Sequence, residues 1–332
     1  MELCLYLSNL EHWENLDEVL RYVDYAEQAE FATKCLFHDP NSYEYFGHLV
    51  SLKSIQSMML EADVGFSRLY FGQEFCEHLV PPEAEVRQAF FESSQSEINF
   101  TYVTGPATFR ARDRIKRNID ALAADSESTV TGLKTEVVVN DWGILRYLAA
   151  EHPQFHAVLG RFLLKQKRMG RFANGVPQPY MGEIETPAEV LIANQKEAWR
   201  HCNLTSEVYR AELHRLGGAR VDIDIVPQGI SIAPQDWGFD FGCYYPWTYL
   251  TGSRNCPTAG LVDPKRAYVA VDEACPKPCR TCNASVVSVN DPQAFNVQRG
   301  TGVFVFNHSY AHPYMSREIP VSRVIYQPYI PL

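Results

Sequence analysis

Residues Thr135–Val139 (TEVVV) form a β-branched run that breaks at Asn140-Asp141, and Trp142–Glu151 follows with helical spacing. The same pairing of a short apolar run with a helical stretch recurs along the chain. Residues 3–7 precede a helical pattern over 15–29, and residues 98–103 (INFTYV) precede 111–124, where Ile115, Ile119 and Leu122 share a face. Residues 67–75 (SRLYFGQEF) and His156–Leu159 read as further strands, and 221–226 (VDIDIV) alternates apolar and polar as a half-buried strand does. Gly302–Phe306 and residues 321–326 are short strands near the end, and the Pro-rich stretch 176–187 reads as a long loop. Strands alternating with helices pack as parallel βαβ units. The expected fold is therefore α/β, a TIM-barrel-like (β/α) barrel with a cysteine-rich cluster loop towards the C-terminus. An open doubly wound sheet is the alternative.

A chain of 332 residues accommodates such a barrel as one unit. We expect residues 1–285 to form the barrel-like domain with its cluster loop, and 286–332 a β-rich extension. With 46% hydrophobic and 21% charged residues, the chain can bury a large core without covalent staples. Its formal charge of −10 argues against non-specific binding of nucleic acid, which rests on neutralising phosphates. The cations Lys165, Lys167, Arg168 and Arg171 form a local basic stretch, read as a solvated helix end. The N-terminus lacks the basic flank and apolar length of a signal peptide, and no apolar run is long enough for a membrane span. A cytoplasmic location is the expectation. Neither a Gly-rich nucleotide fingerprint nor a phosphate loop is present.

Thiols stay reduced in that compartment, so nine cysteines call for metal, catalysis or burial rather than disulfides. Cys275-Pro-Lys-Pro-Cys279-Arg-Thr-Cys282 packs three thiols into one short segment, and Cys256 lies upstream, giving C-x18-C-x3-C-x2-C. Thiolates are soft ligands for iron–sulfur clusters and zinc. Pro276 and Pro278 stiffen the loop, and Lys277, Arg280 and Arg254 would offset the charge of a cluster. Structural zinc prefers paired knuckles, and only one such group exists here. An iron–sulfur cluster is thus expected, with zinc as the alternative, and on local spacing its ligands are Cys256, Cys275, Cys279 and Cys282. Cys4, Cys35, Cys202 and Cys243 read as small core hydrophobes. Cys76 would sit at the C-terminal end of a barrel strand, where barrel sites lie.

The segments Leu69-Tyr-Phe-Gly-Gln-Glu-Phe-Cys76, Glu136-Val-Val-Val-Asn-Asp-Trp-Gly-Ile-Leu145 and Arg254-x-Cys256…Cys275-x3-Cys279 occur in one order. Together with Tyr244-Tyr245-Pro246 they resemble the collagenase-like peptidase (U-thirty-two) family, and within it the iron–sulfur proteins of oxygen-independent ubiquinone synthesis. The likeness spans residues 65–285, while 8–60 and 172–215 have no counterpart. It implies a barrel holding a [4Fe-4S] cluster through Cys76, Cys256, Cys275 and Cys279, leaving Cys282 spare. It also implies oxygen-independent, prephenate-dependent hydroxylation of a small aromatic or nucleobase substrate, with a paired family member as a heterodimer partner. A non-catalytic, cluster- or zinc-stabilised subunit is the second reading. A peptidase is the third, although no Ser/His/Asp, Cys/His or His-Glu-x-x-His motif supports it.

A small anionic substrate calls for arginine, whose fork binds carboxylates bidentately. Arg161 follows a strand directly and Arg254 abuts the cluster loop. Asn140 and Asp141 end the strand 135–139, although Asp141 also suits a helix cap. Glu74 could serve as a general acid or base if buried, or be solvated or ion-paired. His308 and His312 read as loop residues, and the aromatic run 244–249 as core packing beside the cluster.

Overall fold

The computed structural model describes residues 1–10, 40–128, 134–168, 187–253, 255–267, 275–280, 284–287 and 295–331. Numbered along the chain, β1 (Glu2–Leu7), β2 (Arg68–Gly72), β3 (Asn99–Val103), β4 (Thr135–Val139), β5 (His156–Leu159), β6 (Gly218–Asp224), β7 (Asp240–Tyr245) and β12 (Arg323–Tyr326) close into a barrel. Every pairing in it is parallel, and β12 joins β7 to β1. The expected α/β barrel is the observed one.

Alternation along each strand explains both sides of the wall. Leu3, Leu5, Leu69, Phe71, Phe100, Val137, Leu159, Ile223 and Val324 face outwards and join one core with the helices Pro40–Ala62, Glu83–Gln95, Arg112–Ser128, Trp142–Glu151 and Glu207–Arg215. The intervening residues Cys4, Tyr6, Tyr70, Val138, Val158, Tyr244 and Ile325 form a separate cluster that fills the lumen. This corrects the reading of residues 221–226 as a half-exposed strand. Asp222 and Asp224 are fully buried and point into the barrel rather than into water.

The end of the barrel where the strands begin is polar. Arg323 donates to Glu136 Oε2 at 2.7 Å and to the Tyr70 hydroxyl at 2.6 Å, and Arg68 Nε donates to Glu2 Oε1 at 2.9 Å. Burial alone would raise the Glu136 carboxyl, but Arg323 and Arg68 outweigh it and hold it at about 2. These ion pairs tie β12 across the lumen to β4 and alongside to β1, fixing the closing seam.

A second sheet departs directly from β7. The strand β8 (Trp247–Gly252) begins after a cis Tyr245–Pro246 bond and pairs antiparallel in the order β8-β11-β10-β9, with β9 (Ala284–Val287), β10 (Phe295–Arg299) and β11 (Gly302–Phe306). Trp247, Tyr249, Val297 and Phe304 of this sheet share a small core with Phe75, Cys76 and Leu79, which follow β2. Residues 286–332, expected as an extension, thus supply part of this sheet and the last barrel strand, so a division at 285 cuts through both sheets.

The helix Pro40–Ala62 carries no single apolar stripe, which hid it from helical spacing. The helices Glu83–Gln95, Ala188–Arg200 and Glu207–Arg215 were likewise not anticipated. The helical pattern over 15–29, the loop 176–186 and Cys35 lie outside the described residues. Cys4, Cys202 and Cys243 are buried, as expected of core cysteines. His308 starts a 3-10 turn and His312 a short helix, so neither is a simple loop residue. Residues 165–168 form no helix, and Arg168 turns inwards to Asp224. Among the described residues no helix is long and apolar enough to cross a membrane.

Asp222 gives a test of the lumen. Both its oxygens are buried without a hydrogen-bond partner, and burial pushes its carboxyl up to about 7. A carboxyl raised on folding contributes most below its unfolded value and loses that contribution as pH rises towards 7. Relative to Asp222→Asn, the wild type should therefore lose on the order of 3 kcal/mol between pH 4 and pH 8, read by urea unfolding at each pH. A constant difference between the two proteins across that range would contradict the assignment.

Candidate metal centre

Cys76, Cys256, Cys275 and Cys279 line one cavity of about 280 Å³ at the end of the barrel where the strands finish. Each reaches it for a local reason. β2 ends at Gly72, whose φ of 136° and whose closeness to Val103 O, 2.2 Å from where a Cβ would stand, exclude any side chain. The chain then passes over the mouth, with Glu74 pointing down, Phe75 in the small core and Cys76 before the 3-10 turn Glu77–Leu79. Cys256 precedes the short helix Pro257–Val262, and its Sγ accepts from Ala259 N–H at 3.3 Å. Cys275 Sγ accepts from Lys277 N–H at 3.4 Å. Cys279 lies in the turn Pro278–Arg280, and its carbonyl accepts from Arg299 Nε at 2.8 Å.

Aromatic rings build much of the remaining wall. Phe75 packs on Tyr249 with centroids 4.7 Å apart and on Phe162 at 5.8 Å, and all three line the cavity. Cys76 and Cys279 are buried, whereas Cys256 and Cys275 are half-buried. Burial pushes the Cys76 thiol up to about 12, and the other three cysteines add to that rise. Cys279 is raised to about 11 by burial and by Cys256. Thiols grouped like this resist ionising together, and a bound cation that compensates the charge reverses the balance.

The donor set is four thiols that line one cavity, soft ligands of the kind that iron–sulfur clusters and zinc take. Among the described residues no three His, Cys, Asp or Glu side chains come together closely enough to hold one metal ion. Two of the thiols accept backbone N–H bonds, at Cys256 and Cys275.

Beneath the cavity lies a sealed ionic floor. Arg161 Nη2 stands 2.9 Å from Glu74 Oε2, an ion pair without hydrogen-bond alignment, and Arg161 Nη1 donates to Asp224 Oδ1 at 3.0 Å. The guanidinium lies 3.6 Å from the centre of the Tyr244 ring. Arg168 pairs with the second Asp224 oxygen, and Asn140 Nδ2 donates to Glu74 Oε1 at 3.3 Å and to Thr104 O at 2.8 Å. Burial raises the Glu74 carboxyl despite Arg161.

Of the residues expected to bind substrate, Arg161, Glu74 and Asn140 thus meet in one network, but their side chains are buried and engaged with protein groups. Asp141 stands apart and accepts from Gly143 N–H at 2.7 Å and Ile144 N–H at 3.3 Å, capping the helix Trp142–Glu151. Arg254 and Cys282 lie outside the described residues. Sequence reasoning missed Asp224, Arg168 and Phe162. The alternation VDIDIV carried the signal for Asp224, since a polar residue on a strand inside a parallel barrel faces the lumen.

Two substitutions separate these roles. Arg161→Met leaves the buried Glu74 without its cation and Asp224 with Arg168 alone, and should cost about 3–5 kcal/mol in urea unfolding. Asp141→Ala removes only a cap and should cost about 1 kcal/mol. An Asp141→Ala protein as stable as the wild type in urea would contradict the capping role.

No protein family, curated protein or solved structure was found to match this chain, so the chemistry of the cavity is read from its own side chains.

Proposed function

We propose that this chain is an iron–sulfur protein that holds a [4Fe-4S] cluster through Cys76, Cys256, Cys275 and Cys279 and acts in oxygen-independent hydroxylation. The observation that carries the reading is the meeting of Cys76, which follows the second strand, with three cysteines from a distant late segment in one cavity. This is the ligand set implied by the likeness to the collagenase-like peptidase family, and it leaves Cys282 spare. A bound cluster supplies one-electron chemistry or an iron that polarises an oxygen of the substrate.

The chain's own residues have separable tasks in this proposal. Phe75, Phe162 and Tyr249 exclude water and offer flat faces to a small aromatic or nucleobase substrate. Thr108 and Ser253 bring polar groups to the same cavity, and Lys277 and His78 line it as well. An anionic co-substrate, prephenate by family analogy, would meet the Lys277 ammonium there rather than the engaged Arg161. The protein would act in the cytoplasm, with a paired family member completing the assembly.

A non-catalytic, cluster- or zinc-bearing subunit is the second reading. Space and polar side chains beside the thiols favour substrate binding over a sealed structural site.

Anaerobic purification followed by iron, sulfide and zinc analysis and the visible spectrum tests the proposal. The expected result is iron and sulfide in near-equal amounts, with the broad visible absorption of iron–sulfur charge transfer. Cys76→Ala should lose it and Cys282→Ala should keep it. Zinc without sulfide, or retention in Cys76→Ala, would sink the assignment.

A further inference from the structure

Lys277 is held at the cavity in a way that its backbone does not favour. It lies between Pro276 and Pro278 and has a φ of 56°, a left-handed conformation that burdens an L side chain and costs glycine almost nothing. The following proline restricts its backbone further. That conformation points its N–H at Cys275 Sγ, 3.4 Å away, and its carbonyl accepts from Arg280 N–H at 3.1 Å. Glycine would make both bonds without strain. A lysine here is therefore explained by its side chain, not by the turn.

The side chain lines the four-cysteine cavity and is half-buried. Among the described residues it has no carboxylate partner. The acidic Glu77 on the same cavity is occupied by the Thr108 hydroxyl, while Arg161 and Arg168 beneath the floor are matched by Glu74 and Asp224. An ammonium without a carboxylate partner among the described residues, set beside four thiolate ligands, faces a surplus of negative charge, and that surplus grows by one unit when an electron is added.

We infer that Lys277 is a positioning residue that sets the reduction potential of the four-cysteine centre through its charge. The inference rests on the iron–sulfur reading above. One electron from dithionite reduces the centre without bond making, and the fixed ammonium stabilises the more negative, reduced state over the oxidised one.

The test compares the full-length wild type, Lys277→Gly and Lys277→Arg, each purified anaerobically and assayed for iron and sulfide before a dye-mediated dithionite titration read by absorbance and electron paramagnetic resonance. All three should carry equal iron and sulfide, and Lys277→Gly should melt no lower than the wild type because its backbone is relaxed. At the potential where the wild type is half reduced, the reduced-to-oxidised ratio of Lys277→Gly should fall about tenfold, which is about 59 mV for one electron. Lys277→Arg should restore the wild-type midpoint. An unshifted Lys277→Gly midpoint, or an equal shift in both variants, overturns the role of charge while leaving the cluster standing. A wild type holding zinc, or no sulfide, overturns the cluster reading and this inference together.

Discussion

The guanidinium of Arg161 is the point on which the upper end of the barrel depends. It leaves the chain directly after β5, reaches Glu74 beyond β2 and Asp224 at the end of β6, and stacks on Tyr244 of β7. Four separate stretches of the wall are thereby referred to one planar cation. A buried ion pair is seldom a net source of stability, because desolvation offsets most of the attraction. What it gives is a unique arrangement, since any other packing would strand a charge in a dry interior. Phe75 and Cys76 sit immediately after Glu74, so the carboxylate that meets Arg161 also sets the position of the cavity cysteine that follows β2.

The lumen has ionic clusters at both ends and an aromatic and aliphatic middle. At the lower end Arg323 and Arg68 meet Glu136 and Glu2; at the upper end Arg161 and Arg168 meet Glu74 and Asp224. Each group pairs two cations with two carboxylates. Asp222 is the carboxylate without a hydrogen-bond partner, and burial pushes it up to about 7, whereas Arg323 and Arg68 hold Glu136 at about 2.

Much of this could be read from the chain before any coordinates. The strands Thr135–Val139 and His156–Leu159 and the helix Trp142–Glu151 match their sequence signals end to end, because a β-branched run and a capping Asp are local features. Of the second sheet, Gly302–Phe306 was legible in the same way. Its long-range partner Trp247–Gly252 was not, since it looks like a continuation of β7 until Pro246 turns it out of the barrel. The meeting of Cys76 with Cys256, Cys275 and Cys279 was equally closed to spacing, since Cys76 joins the late cysteines only once the barrel brings the end of β2 beneath the second sheet. Arg161 reads from the sequence as a substrate-binding candidate, but its partners Glu74 and Asp224 were hidden, because burial and not position decides whether an arginine meets a ligand or a carboxylate of its own chain.

The place of β12 orders how the molecule comes into being. Among the described residues its four residues form the last strand and the bridge between β7 and β1. A ribosome therefore releases every cysteine of the cavity before it releases the segment that closes the cylinder. Until then the rim on which Cys76 meets its three distant companions is a curved sheet without a fixed circumference. Completion of the cavity is thus a late event, tied to the emergence of Arg323–Tyr326 rather than to the synthesis of the cysteines themselves.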